Sequence, residues 1–228
     1  DKNPHVVVLC SGGLDSVTAA HLMKKNSPSS EITLLFFNYG QRACDQERMC
    51  MRMCAKNLGA EVVELALPEL GKLSHSLLNK YRVKMQISRS LSDTSGEHTQ
   101  WYVPFRNTVF LSYAFAYVES VAVIGKKKDF LIVTGFKCEG KEPYPDTTER
   151  YVKKMNALAK VAAPFLNIQV YAPLIKKDKE DIILLGNKLG VDFTKTVSCY
   201  VGGKKQCGAC LACRLRKAGF RWAGAKDP

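Results

Sequence analysis

Short apolar runs and helix-spaced stretches alternate along this chain. His5-Val6-Val7-Val8-Leu9-Cys10 is apolar, β-branched and brief, as a strand buried on both faces should be. Beyond a polar turn, Val17, Ala20 and Met23 recur at helical spacing. Residues 32–37 form a second buried strand, and 45–58 read as a helix with Met49, Met53 and Leu58 along one side. A third strand covers 61–67. Over 84–101 the pattern fails, and Ser88, Ser90, Ser92, Asp93, Ser95 and Gly96 mark a long polar loop. Helical periodicity returns at 107–123, and 130–133 is a fourth strand ending at Thr134-Gly135. A Gly/Pro-interrupted loop with Tyr144-Pro145-Asp146 leads into a helix through about Lys160. The fifth strand spans 168–172, and a further helix spans Lys179–Lys188 with Asp178 as its N-cap.

Alternation of this kind predicts an α/β fold, a doubly wound and mainly parallel sheet of about five strands. Neither repeats nor a low-complexity linker interrupts it. We expect an α/β domain over 1–195 and an element over 196–228 packed on the same domain. The length of 228 residues fits that size, and 46% hydrophobic with 24% charged residues excludes a disordered chain. No apolar run nears the ~18 residues of a membrane span, and residues 1–10 carry no apolar leader region. The expectation is a folded cytoplasmic protein that does not bind membranes. Its 34 Lys and Arg against 21 Asp and Glu give a net charge of +13. That charge attracts polyanions in general. The tight run Lys126-Lys127-Lys128 reads as a solvated helix end or loop, and without interleaved aromatics nucleic acid is disfavoured as a partner.

Ser11-Gly12-Gly13-Leu14-Asp15-Ser16, set between a strand and a helix, has the chemistry of an anion trap. The glycines permit a tight turn and close approach to a ligand. Unpaired N–H groups of the first helical turn point outward, and Ser11 and Ser16 add hydroxyl donors. An aspartate beside a phosphate site repels its ligand unless a cation intervenes, so Asp15 implies Mg²⁺. The string is not a Walker A loop, because no Gly-Lys-Ser/Thr follows, and it lacks the third glycine of a dinucleotide fingerprint.

Nine cysteines are distributed unevenly. Cys199, Cys207, Cys210 and Cys213 crowd together near the end, with Gly202, Gly203 and Gly208 to bend the chain around one ion. Four thiolates close a tetrahedral structural zinc site, although an iron–sulfur cluster takes the same ligands. Basic Lys204, Lys205, Arg214, Arg216 and Lys217 would offset the charge of that centre. Cys10, Cys44, Cys50 and Cys54 read as buried, inert thiols, and Cys138 as a loop thiol without a partner to activate it. The histidines are scattered and form neither a dyad nor a metal motif.

The Ser-Gly-Gly-Leu-Asp-Ser string resembles the pyrophosphate loop of the ATP pyrophosphatase superfamily, whose fold is adenine nucleotide alpha hydrolase-like. Further strings narrow the resemblance and span nearly the whole chain. They are Asn38-Tyr39-Gly40-Gln41-Arg42, Pro104-Phe105-Arg106-Asn107, Thr134-Gly135, Tyr144-Pro145-Asp146, Pro173-Leu174 through Asp178-Lys179, and Ser198-Cys199-Tyr200 before the cysteine-rich end. Their order is similar to that of the 7-cyano-7-deazaguanine synthase family of queuosine biosynthesis. The resemblance implies a ligase that adenylates 7-carboxy-7-deazaguanine and couples it to ammonia through an amide, with structural zinc and a homodimer. It implies that Ser11, Gly12, Gly13, Leu14, Asp15, Ser16, Tyr39, Gly40, Gln41, Arg42 and Gly135 hold ATP. Asp15, Arg106 and Lys179 would be catalytic, and Asn107, Glu139, Glu142, Tyr144 and Asp146 would take the substrate.

The substrate loop departs from the family's pattern. Gly140 stands at the position of an acid, Glu142 at that of a serine and Pro143 at that of a glycine. Thr147 and Thr148 replace a Cys-Arg pair, and Phe105 stands where the family has glycine. Rival readings are a relative that stops at the amide, one that conjugates the activated acid to an amine of a partner protein, a tRNA thiolase using Cys138, and a non-enzymatic zinc-binding module.

Overall fold

The computed structural model describes residues 3–79, 100–137 and 144–228. Its centre is a parallel five-stranded sheet of β1 (His5–Leu9), β2 (Ile32–Asn38), β3 (Glu61–Ala66), β4 (Asp129–Val133) and β5 (Asn167–Tyr171), in the order β3-β2-β1-β4-β5. Helices on both faces bury the central strands completely, so Val6, Val7, Val8, Leu34 and Leu35 have no exposed surface. Such strands read as unbroken apolar runs. At the edge, β5 alternates exposed and buried residues instead.

Val7, Leu35, Ile132 and Val170 face α4 (Arg106–Gly125) and α5 (Glu149–Ala162), which contribute Leu111, Ala114, Val118, Met155 and Ala159. Val6, Val8, Leu34 and Val133 face the opposite layer. It is built from α1 (Leu14–Asn26), α6 (Lys179–Lys188) and α7 (Leu211–Trp222), with α2 (Cys44–Leu58) beside them. A short α3 (Pro68–Leu73) follows β3. The winding reverses between β1 and β4, and open α/β sheets bind ligands at the carboxyl ends of strands at such a point.

Three expectations are corrected. On α2, Cys50, Met51, Cys54, Ala55 and Leu58 are buried, whereas Met49 is 52% exposed, because the inward arc of the helix runs toward the turn after β1. After residue 210, where the sequence reading offers no helix, the chain forms α7 and packs it against α6. Finally, α4 is 20 residues long with a mean hydropathy of 1.5, enough by length and composition to cross a membrane. It packs on the sheet through Leu111, Ala114 and Val118, which are fully buried, although only 17% of its apolar stretch is buried. Apart from Gln100 and Trp101, the expected polar loop over 84–101 lies outside the described residues.

Candidate active site and four-cysteine cluster

β1 ends at the switch point, and the chain turns there at Gly12, whose φ of 72° is costly for any residue with a Cβ. A Cβ at Gly12 would also collide with the Glu47 carbonyl and sit 2.8 Å from the Met51 nitrogen, so α2 backs directly onto the turn. Gly13 caps α1 without a side-chain hydrogen bond, which leaves the first-turn N–H groups aimed at the crevice. Ser16 Oγ accepts from the Ser11 N–H at 3.2 Å and donates to the Gly13 carbonyl at 3.1 Å, folding the loop on itself. From the other side of the switch point, Gly135 presses so closely that its Cβ would lie 3.0 Å from the Ser16 nitrogen. Leu14 is buried in the core, so only its backbone faces the crevice.

Asp15 stands on the first turn of α1 and Lys179 opens α6. Lys179 Nζ donates to both carboxylate oxygens of Asp15 at 2.8 Å. A reciprocal capping box between Asp178 and Asp181 fixes the start of α6 and so the origin of the lysine side chain.

After β2, Gly40 takes a φ of 83° and the neighbouring side chains separate in role. Tyr39 is buried, and its Oη accepts from Arg106 Nη1 at 3.5 Å. Gln41 turns inward, accepting from the Tyr39 N–H at 2.9 Å and donating to the Phe37 carbonyl at 2.9 Å and Glu47 Oε2 at 2.8 Å. Arg42 Nε donates to the Leu77 carbonyl at 3.0 Å. Gln41 and Arg42 therefore brace the loop, while Tyr39 and Arg106 meet beside the crevice. Burial pushes the Glu47 carboxyl up, against the Gln41 hydrogen bond and the Arg106 charge.

Arg106 and Asn107, at the start of α4, open a second cleft with Trp101, Tyr102, Tyr144, Asp146 and Tyr200. Tyr102 and Tyr144 stack at 5.9 Å and 14°, and Trp101 lies 5.0 Å from Tyr200. Asn107 Nδ2 donates to the Asp146 carbonyl at 3.4 Å, so helix and loop close the cleft together. Aromatic rings, a carboxylate and an amide are the groups by which a planar, hydrogen-bonding heterocycle is recognised. Glu139 and Glu142, like Cys138, lie outside the described residues. Phe105, just before Arg106, takes a φ of 53° and is 70% exposed, a left-handed conformation that favours glycine.

The sulfurs of Cys199, Cys207, Cys210 and Cys213 all lie within 4.8 Å of one another. Backbone N–H groups point at them: Cys210 to Cys207 at 3.2 Å, Cys207 to Cys199 at 3.4 Å, and Tyr200 to Cys210 at 3.5 Å. Hydrogen bonds from Cys210 and Cys213 lower the Cys199 thiol below its ordinary range. Four sulfurs in a closed knot, already surrounded by N–H donors, fit a tetrahedral metal ion. Arg216 does not face this knot as the sequence reading expected. It is 2% exposed and donates to Thr196, Phe193 and Asp227, because α7 turns it toward the core. Arg214 Nε donates to the Ala209 carbonyl at 3.0 Å. Cys10, Cys44, Cys50 and Cys54 are buried, Cys44 Sγ accepting from Arg48 Nη2 at 3.3 Å, and burial pushes the Cys50 thiol up to about 11.

Sequence reading missed Glu47, Trp101, Tyr102 and Tyr200 as site residues. Glu47 falls in the first turn of an ordinary amphipathic helix, and the aromatics lie in segments without periodicity. Only their convergence in space marks them.

Comparison with known proteins bears on the whole chain. The sequence profile described as "Queuosine biosynthesis protein QueC" matches residues 5–224. A 7-cyano-7-deazaguanine synthase from a Nitratiruptor species is 39% identical over 225 residues, covering 97% of this chain and 96% of that protein. Synthases of the same name from Methanosphaera stadtmanae and Aromatoleum aromaticum are 32% and 36% identical, covering 98% and 97% of this chain and 96% and 95% of theirs. With its phosphate-type loop, its arginine-lined cleft and its four cysteines in one frame, this chain belongs to the QueC family.

Proposed function

We propose that this protein is an ATP-dependent carbon–nitrogen ligase that adenylates 7-carboxy-7-deazaguanine and couples it to ammonia, yielding 7-cyano-7-deazaguanine by way of the amide. The observation that carries this reading is the position of Arg106, which meets Tyr39 of the nucleotide side and lines the aromatic cleft. A carboxylate held in that cleft would be presented to an α-phosphate on the Ser11–Ser16 loop. The relatives' shared name gives the amide-stopping, protein-conjugating and thiolase alternatives no support.

In this mechanism the N–H groups at the start of α1, with Ser11 and Ser16, bind the phosphates. Asp15 would hold Mg²⁺, which screens phosphate charge, and Lys179 would follow the departing pyrophosphate. Arg106 orients the substrate carboxylate and stabilises charge as the acyl phosphate forms. Asn107, Tyr144 and Asp146 would read the deazaguanine ring, Asp146 accepting from its N–H edge. Ammonia then displaces AMP from the adenylated acid. A second adenylation, on the amide oxygen, releases a second pyrophosphate, and departure of AMP with loss of both N–H protons gives the nitrile. Zinc at the four cysteines would be structural, since four thiolates would fill every position of a tetrahedral ion. Four cysteines gathered for a metal ion suit the reducing cytoplasm.

We also assign a second copy of the chain as partner. Val123, Ile124, Val161 and Phe165, on α4, α5 and the turn after it, are each at least 80% exposed, and a second copy would cover them. Acid-dependent exchange of labelled pyrophosphate into ATP tests the adenylation step. Exchange that requires the acid supports the reading, and exchange indifferent to it contradicts the assigned substrate.

A further inference from the structure

Helix α7 carries more than the end of the cysteine cluster. Gly219, buried on its inner side, faces α6. A Cβ at this position would collide with Lys179 Cγ and would lie 3.0 Å from Lys179 Cβ and 3.1 Å from Ile183 Cδ1. The lysine stem therefore runs through the notch left by the absent side chain, and from there its Nζ lies 2.8 Å from both Asp15 oxygens. Glycine in a helix interior costs about 1 kcal/mol relative to alanine, and here it takes an ordinary helical φ. Backbone conformation does not require it, so the space does.

A separate route leaves the same helix one turn earlier. Arg216 Nη1 donates to Thr196 Oγ1 at 2.7 Å and Nη2 to the Phe193 carbonyl at 2.9 Å. The next residue, Val197, donates its N–H to the Gly12 carbonyl at 3.1 Å. One helix thus supports the loop at Gly12 and the Asp15–Lys179 pair through contacts that share no residue.

We infer that Gly219 is a positioning residue for the pyrophosphate end of ATP, acting by seating Lys179 against Asp15, while Arg216 holds the turn at Gly12. This rests on the reading of the Ser11–Ser16 loop as an ATP site. It extends that reading to a helix otherwise explained by the metal cluster. Because Lys179 serves only the β and γ phosphates in this scheme, the effect is selective. Calorimetric titration of wild type and Gly219→Ala with Mg-ATP, Mg-pyrophosphate and AMP tests it. Alanine should weaken ATP and pyrophosphate binding on the order of tenfold. AMP affinity, metal content and helicity should be retained.

A double-mutant cycle separates this role from packing alone. In a Lys179→Ala background, Gly219→Ala should cost no further ATP affinity, because the residue it acts through is gone. Equal loss of AMP and ATP affinity, or full additivity with Lys179→Ala, overturns the inference. Should Gly219→Ala fail to fold, recovery of folding in the double variant supports action through Lys179, and continued failure overturns it. Absence of ATP binding by the wild-type protein would instead remove the reading of the loop itself, whatever Gly219 does.

Discussion

Lys179 Nζ and the Asp15 carboxylate, 164 positions apart in the chain, meet at 2.8 Å and join the first turn of α6 to the first turn of α1. Both side chains are largely but not fully buried, at 15% and 27% exposure. An ion pair of that kind adds little stability, about 1 kcal/mol or less after solvent screening. Its use lies in putting a cation and an Mg²⁺-binding carboxylate together at a helix N-terminus.

Asp15→Asn and Lys179→Ala should therefore each reduce acid-dependent pyrophosphate–ATP exchange by roughly 100-fold or more, the loss expected for one transition-state electrostatic contact. Thermal unfolding should show that both variants remain folded, with melting shifts of only a few degrees. A large loss of stability with retained exchange per folded molecule would assign the pair to the scaffold.

Phe105 holds a left-handed φ of 53° although it is bulky and mostly exposed. Phe105→Gly should raise stability by about 0.5–1 kcal/mol, as relief of the strain outweighs the greater freedom glycine gains in the unfolded chain. Urea denaturation monitored by tryptophan fluorescence measures this. The expected sign is a higher midpoint with an unchanged slope.

Glu47 offers a pH signature. Its folded carboxyl is raised above the ordinary 4.5 by burial, so the folded state holds this proton more tightly than the unfolded chain. Stability from this group is fully present below that ordinary value and is lost as pH rises through the folded one. Glu47→Gln removes the titration, so its stability relative to wild type should improve as pH rises above the ordinary 4.5. Parallel stability curves for the two proteins over that rise would contradict the assignment.

Substituting Cys213 by serine opens the four-sulfur knot from inside α7. Bound metal, measured by elemental analysis, should fall below one equivalent, and stability should drop by several kcal/mol because structural metal binding is folding free energy. Prolonged chelation of the wild-type protein should reproduce the loss.

For the apolar outer face, Ile124→Glu combined with Val161→Glu should convert a sedimenting dimer to a monomer. Both side chains are at least 80% exposed in the single chain, so the monomer itself should stay folded. Unchanged sedimentation would remove this face as the contact between copies.

Much of this architecture is written in local sequence. The runs at Val6 to Leu9 and Leu34 to Phe37 are buried on both faces, so their continuous apolar character reads directly as parallel strands. The Ser11–Ser16 loop is equally legible, because two glycines between strand and helix already imply a turn open to a ligand. Four cysteines at short spacing announce their own knot. What stays hidden depends on tertiary contact. Arg216 looks like one more basic residue of the tail, and only its burial beneath Thr196 and Asp227 separates it from Lys217. Gly219 looks like a helix imperfection until Lys179 is seen in its notch. Met49 matched the helical period as well as Cys50 did, and the position of α2 beside the Gly12 turn decided between them.

The most direct test mixes the purified protein with Mg-ATP, 7-carboxy-7-deazaguanine and ¹⁵N-labelled ammonia, and follows products by mass spectrometry. The prediction is labelled 7-cyano-7-deazaguanine appearing with AMP and pyrophosphate. It should pass through a labelled amide and be absent from Asp15→Asn. Consumption of neither the acid nor ATP by metal-loaded wild-type protein would contradict the central claim.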